Sequence, residues 1–160
     1  MRIAAFDISK SAVQSAAKSY PGIEFAVASA FSIPMEDGAA DCIVNIFAPM
    51  AQREFARVLH PGGRMIYAVP GARHLFGLKE VLYEKPYENP VREVNYEGFR
   101  FLSRVPVRSQ CSLSSPQEIQ ALFAMTPYYW KTPKEGTQRL EQISRLETEI
   151  EFDFLLYERI

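Results

Sequence analysis

Asp7 directly follows the apolar run Ile3 to Phe6 and leads into a helical pattern that opens at Ser9. A short carboxylate fixed at a strand end can accept hydrogen bonds from both hydroxyls of a ribose. It can equally cap the helix that follows. Ser29-Ala30-Phe31 follows the next apolar run. Small side chains and a backbone amide there could face a purine edge, or Phe31 could enter the core with Ser29 in a turn. Asn45-Ile46-Phe47-Ala48-Pro49 interrupts a third run with a polar residue and closes it with proline, which suits either a ligand-facing strand end or a proline-started helix. Pro70-Gly71-Ala72-Arg73-His74 joins a turn, a cation and an imidazole at a fourth strand end, where an imidazole can move protons or hold a ligand. Tyr128-Tyr129-Trp130 with Lys131 offers flat faces for a base and a cation for a phosphate, although core packing accounts for aromatic side chains equally well. Asn45 and His74 are the catalytic candidates. No Ser/His/Asp triad, HExxH or phosphate-loop sequence is present.

These clusters need a scaffold, and the intervening sequence predicts one. Ile3 to Phe6, Phe25 to Ala28, Asp41 to Phe47 and Arg64 to Val69 read as strands, with helices over Ser9 to Tyr20 and Met50 to Leu59. His60-Pro61-Gly62-Gly63 reads as a helix stop and turn. Strands alternating with helices, apolar on both faces, imply a buried parallel sheet whose ligands bind beyond the strands' carboxyl ends. After Pro70 the spacing predicts a helix over His74 to Tyr83, a loop over Lys85 to Asn95 long enough to form a lid, and extended chain over Phe99 to Leu113. A helix from Ser115 or Pro116 to Met125 and another from Thr132 follow, the second with Pro133 at its first position and Glu135 able to complete a capping box. Glu149 to Tyr157 begins as strict polar and apolar alternation and predicts a terminal antiparallel strand. The charge run Glu147 to Glu151 reads as a solvated face.

Composition narrows the function classes. The chain is 48% hydrophobic and 23% charged, ordinary for one globular domain. Its 18 Lys and Arg against 19 Asp and Glu give a net charge of -1, so no overall basic field marks a dedicated nucleic-acid module. Cys42 and Cys111 lack CxxC spacing. They predict buried thiols of a cytoplasmic protein and no metal site. No apolar run reaches the roughly 20 residues that cross a bilayer, and the start of the chain has no signal-peptide pattern.

Taken in order, FDIS, VASAFSIP, DCIVNIFAP, HPGG and the strand leading to PGARHL resemble consecutive motifs of the class I S-adenosylmethionine-dependent methyltransferases. IFAP, PGARHL with its following LK, and MTPYYWK narrow the resemblance to bacterial 23S ribosomal RNA guanine-N1 methyltransferases, over about Ile3 to Ile160. The resemblance implies an α/β fold with a Rossmann-like sheet of seven strands and an antiparallel C-terminal strand pair. It places Asp7 and Ile8 at the ribose of S-adenosylmethionine, Ser29, Ala30 and Phe31 near adenine, Asn45, Phe47 and Ala48 near the reactive methyl, and His74 at the methionine end. Pro49, Arg73, Tyr128, Trp130 and Lys131 fall on the substrate side. The turn after Val27 departs from the commoner acidic form of its motif.

Measured against that family, residues 1–160 read as an incomplete domain. The first strand with its glycine-rich loop and a zinc-binding cysteine module that helps hold RNA have no counterpart in this sequence. Weak or absent binding of S-adenosylmethionine by the chain alone is therefore expected. The implied reaction is methyl transfer to N1 of a guanine in ribosomal RNA, with homodimerisation open. Two other readings compete: a small-molecule methyltransferase, and a catalytically inert fragment acting as a binding or dimerisation module.

Overall fold

The computed structural model describes residues 2–90 and 95–160 of the chain, so part of the loop expected over Lys85 to Asn95 lies outside the described residues. Its contacts gather into two compact units, one of Met1–Tyr67, Asn95–Ser103 and Leu156–Ile160, the other of Ala68–Val94 and Arg104–Leu155.

In the first unit, β1 (Ala4–Asp7) and β2 (Glu24–Val27) form a parallel pair, with Ala4 opposite Glu24 and Asp7 opposite Val27. Between them runs α1 (Lys10–Ser19), which buries Val13 and ends before the Pro21-Gly22 break. Four further strands, β3 (Ala40–Ile46), β4 (Leu59–Pro70), β5 (Phe99–Leu113) and β6 (Leu146–Arg159), make a separate sheet of order β3-β4-β6-β5. Glu158 pairs with Arg64, and Glu151 O accepts from Gly71 N–H, so β6 runs down as β4 runs up. Ile160 N–H bonds to Gly98 O while Arg108 pairs with Asp153, giving β5 the same antiparallel relation to β6. The expected terminal antiparallel strand is therefore present and longer than its alternation suggested.

The α2 helix (Gln52–Val58) buries Phe55 and Val58, and β4 begins at once after it. The turn expected at His60-Pro61-Gly62-Gly63 is instead the start of β4. A Cβ at Gly63 would lie 2.9 Å from His60 O and 3.2 Å from Asp41 O, so the absence of a side chain lets this stretch of β4 lie against β3.

The expectation that the early strands are buried on both faces fails for β3. Val44 and Ile46 are 57% and 62% exposed, on the same face as Cys42, which is also exposed. A strand face is buried only where another layer packs on it, and no described element covers this one. The two cysteines are accordingly not buried thiols: Cys42 is exposed and Cys111 half-buried.

The second unit centres on Leu75, which immediately precedes α3 (Phe76–Leu82), with Leu78 and Leu82 of α3, Ile119 and Phe123 of α4 (Pro116–Ala124) and Leu140 of α5 (Lys134–Glu141). Ser115 caps α4 by accepting the Glu118 N–H, as its position predicts. The capping box expected at Thr132 does not form. Thr132 bonds through its N–H to Tyr128 O and its hydroxyl lies 3.4 Å from the Tyr83 hydroxyl, so α5 starts at Lys134 behind Pro133 with no side-chain cap. No described helix is long and apolar enough to cross a membrane.

Candidate functional site

The parallel pairing of β1 and β2 brings two of the candidate clusters side by side in the first unit. Asp7 stands opposite Val27, and Ala28 N–H bonds to Asp7 O at 3.1 Å. Asp7 Oδ1 accepts the Ser9 N–H at 2.7 Å, and Ser9, not Asp7, is the N-cap of α1, its Oγ accepting from Ala12 N–H at 3.3 Å. One carboxylate oxygen thus orients Asp7, whose side chain is exposed and whose second oxygen retains acceptor capacity. Ile8 beside it is largely exposed.

Ser29 to Ser32 closes into a tight turn: Ser32 N–H bonds to Ser29 O at 3.0 Å and Phe31 N–H to Ser29 Oγ at 3.2 Å. The Phe31 amide is committed to the turn and Ser29 Oγ accepts it, which leaves Ala30, the ring of Phe31 and the Ser29 O–H donor to meet a ligand. Phe31 is 64% exposed rather than packed in the core. It lines an open cleft of about 450 Å³ with Ala51, Gln52, Arg53, Glu54 and Glu97. Gln52, Arg53 and Glu97 carry no sequence signal, because they become neighbours of Phe31 only through the fold.

The chain after this turn is tied to α2. Arg57 bonds to Ile33 O, Met35 O, Asp37 and Glu54, while Glu54 Oε1 accepts the Ile33 N–H at 2.8 Å. The Arg57 guanidinium, helped by that backbone N–H, holds the Glu54 carboxyl down at about 2. At the end of β3, Asn45 is buried and donates through Nδ2 to Ala48 O and Pro49 O, both at 3.3 Å. Phe47 has φ 54, in the left-handed region that a non-glycine residue enters at a cost of roughly 1–2 kcal/mol. Asn45 therefore holds a strained turn whose Phe47, Ala48 and Pro49 form its outer surface.

In the second unit, the residues after β4 meet β6. Gly71 N–H bonds to Glu151 O and Arg73 N–H to Glu151 Oε2, both at 2.9 Å. The Arg73 guanidinium reaches Glu149 at 2.6 Å and Glu88 at 3.3 Å and lies 4.0 Å over the Phe76 ring. Burial alone would raise the Glu149 carboxyl, but hydrogen bonds from Arg73 and the Gly77 N–H bring it below its ordinary value. The Glu147 to Glu151 run is thus only partly the solvated face that charge suggests: Glu147 is, whereas Glu149 and Glu151 are largely covered and paired.

His74 is half-buried and stacks at a tilt on Phe152, ring centroids 4.9 Å apart. Its Nδ1 lies 3.3 Å from the Glu151 N–H and accepts from it. Burial pushes the imidazole below its ordinary value, against the opposing influence of Glu151. At neutral pH it is an uncharged ring.

The aromatic cluster splits. Tyr128 turns inward, edge-on to Tyr83, and burial pushes its hydroxyl up to about 12. Trp130 is 83% exposed with the Tyr129 ring 4.9 Å away in edge contact, and Lys131 is exposed beside it. The accessible aromatic pair is Tyr129 and Trp130, on the 3-10 turn Pro127–Trp130.

Residues 1–67 match the family described as "Methyltransferase domain". Over 94% of its length the chain is 29% identical to YxjB of Bacillus subtilis (strain 168), provisionally named as a 23S rRNA (guanine-N(1)-)-methyltransferase, and it covers 55% of that protein. A 77-residue stretch, 48% of the chain and 28% of its relative, is 40% identical to the 23S rRNA (guanine(748)-N(1))-methyltransferase of Streptomyces fradiae. The chain thus spans about half the length, or less, of the curated relatives it matches. In fold it is similar to the crystal structure of a Bacillus halodurans C-125 protein provisionally described as a methyltransferase. That likeness has a TM-score of 0.57 at 13% identity and covers 99% of this chain and 83% of the other.

Proposed function

We infer that this chain, whose residues 1–67 match a methyltransferase domain, is part of a class I S-adenosylmethionine-dependent enzyme that methylates N1 of a guanine in 23S ribosomal RNA. The observation that carries the reading is the place of Asp7, an exposed carboxylate at the shared carboxyl end of β1 and β2, beside the Ser29 to Ser32 turn. That pairing suits a nucleoside, with ribose hydroxyls donating to the second oxygen of Asp7 and the purine lying against Ala30 and Phe31. S-adenosylmethionine is then the cofactor, supplying an electrophilic methyl group.

The chain's own residues bind and align. The turn clamped by Asn45 shapes one wall of the reaction space through Phe47, Ala48 and Pro49, and alignment of the reactants is the main source of rate in such a transfer. The guanine must leave its stack, and the exposure of Trp130 and Lys131 supports a role for the ring in stacking on a base and for the cation in meeting a phosphate. Arg73, held over Phe76 by Glu149 and Glu88, contributes a fixed cation on the substrate side. By the family resemblance, His74 would meet the methionine end of the cofactor. The bound cofactor would supply the methyl and leave as the thioether, and the guanine's N1 proton would have to pass to a base. Ribosomal RNA as partner, action in the cytoplasm, a zinc-bearing segment outside these residues and homodimerisation belong to the same proposal.

A chimera tests it, with residues 1–160 replacing the matched region of the Bacillus subtilis relative. The expected result is a methyl on N1 of a 23S guanine, seen as a block to base pairing in primer extension, and a rise of at least about tenfold in the KM for S-adenosylmethionine with Asp7→Ala. A chimera that binds the cofactor but methylates only small metabolites would overturn the reading.

A further inference from the structure

Lys79 is 0% exposed, yet among the described residues no carboxylate comes within 4 Å of its ammonium. A buried cation with no carboxylate in direct contact, and only the longer-range attraction of Glu88 to offset its burial, is costly, and an apolar side chain of similar length would fill the same space without that cost. Its neighbours Leu78 and Leu82 show that α3 is anchored by apolar packing in any case. What the ammonium adds is a set of directed contacts: Nζ donates to Tyr87 O at 2.9 Å and to Asn89 Oδ1 at 2.8 Å and lies 4.3 Å from the Tyr87 ring centroid.

Asn89 carries those contacts onward. Its Nδ2 donates to Gly71 O at 2.9 Å and its backbone N–H to Ala72 O at 2.8 Å. Only one orientation of the amide works, since a flip would set the NH2 against the ammonium and the oxygen against the Gly71 carbonyl. Glu88, between the two residues that Lys79 holds, reaches Arg73. We propose that Lys79 is a positioning residue: it pins the strap Tyr87 to Asn89 across Gly71 and Ala72, and so fixes from one side the turn that Glu151 fixes from the other. Only the consequence for Arg73 and His74 rests on the methyltransferase reading.

Amide hydrogen exchange on residues 1–160 tests the latch. With Lys79→Met, exchange at the Asn89 amide rises at least about tenfold, and chymotryptic cleavage after Tyr87 accelerates in step, while the Leu75 amide, bonded to Glu149 O, changes less than twofold. Asn89→Ala removes the same contact from the other side, in a partly exposed loop residue, and produces the same local loss; it decides the matter if Lys79→Met fails to fold. Unchanged protection at residue 89, or equal loss at residue 89 and Leu75, overturns the proposal. Failure of the methyltransferase reading appears separately, as absence of RNA methylation by the unmutated chimera, and leaves the exchange result intact.

Discussion

Asn45 and His74 entered as the two catalytic candidates, and their surroundings give them different tasks. The Asn45 amide is spent on two carbonyls of its own turn. Asn45→Ala leaves those acceptors unmet next to a left-handed Phe47, and unfolding in urea should show a loss of about 1–3 kcal/mol. For His74 the sign follows from burial: its folded pKa lies below 6.5, so below pH 6.5 the unfolded chain binds a proton that the folded chain refuses. Its contribution is complete above 6.5 and is lost as pH falls through the folded value. The urea midpoint should drop between pH 7.5 and 5.5, and the drop should be smaller in His74→Gln; an equal drop would refute the assignment. Adjacent residues can also diverge in ways that composition does not reveal. Tyr128 and Trp130 form one cluster on paper, but a 3-10 turn sends the first against Tyr83 and the second into solvent. Glu149 and Lys79 were equally hard to place, because their partners lie 76 and 10 residues away in the chain.

At the level of elements, local grammar was legible wherever it is local. The helix opening at Ser9, the Ser115 cap and the β5 bounds follow from residue order alone, whereas the carboxylate of Asp7, the capping candidate in sequence, gives that place to Ser9. Ser115→Ala should cost about 1 kcal/mol in thermal unfolding. What could not be read were contacts between distant segments, of which Gly77 is the sharpest case. A Cβ there would sit 2.1 Å from Glu147 O, so α3 lies on the β6 backbone only because residue 77 has no side chain. Gly77→Ala should destabilise by about 3 kcal/mol or more, despite its better helix propensity, as α3 is forced off the strand. A neutral or stabilising result in denaturant titration would show that the close approach is not required.

For the molecule as a whole, the first three strands lie within one residue of their apolar runs, but their burial does not follow from them. The apolar runs of β3 predicted two covered faces, and sequence pattern cannot say which layers a given length of chain provides. Val44 and Ile46 are left open to solvent, with Phe47 exposed at the strand end. Replacing both with lysine should change folding stability by no more than about 0.5 kcal/mol each while lowering concentration-dependent association in sedimentation runs. Unaltered association would locate the sticky surface elsewhere, with Trp130 and Met125 as the next suspects.

The first compact unit is stitched from three stretches of chain, and its last stretch is Leu156–Ile160. Tyr157 is packed among Tyr96, Phe99 and Phe101, Glu158 bridges Arg64 and Arg100, and Arg159 reaches Leu59 O. Synthesis is directional, so the strands made first wait unfinished until residue 160 has left the ribosome. A nascent chain stalled even at residue 155 holds the whole sequence matched to the methyltransferase domain yet lacks Tyr157, Glu158 and Arg159, and should stay a substrate for chaperones and proteases until the stretch Leu156–Ile160 is made.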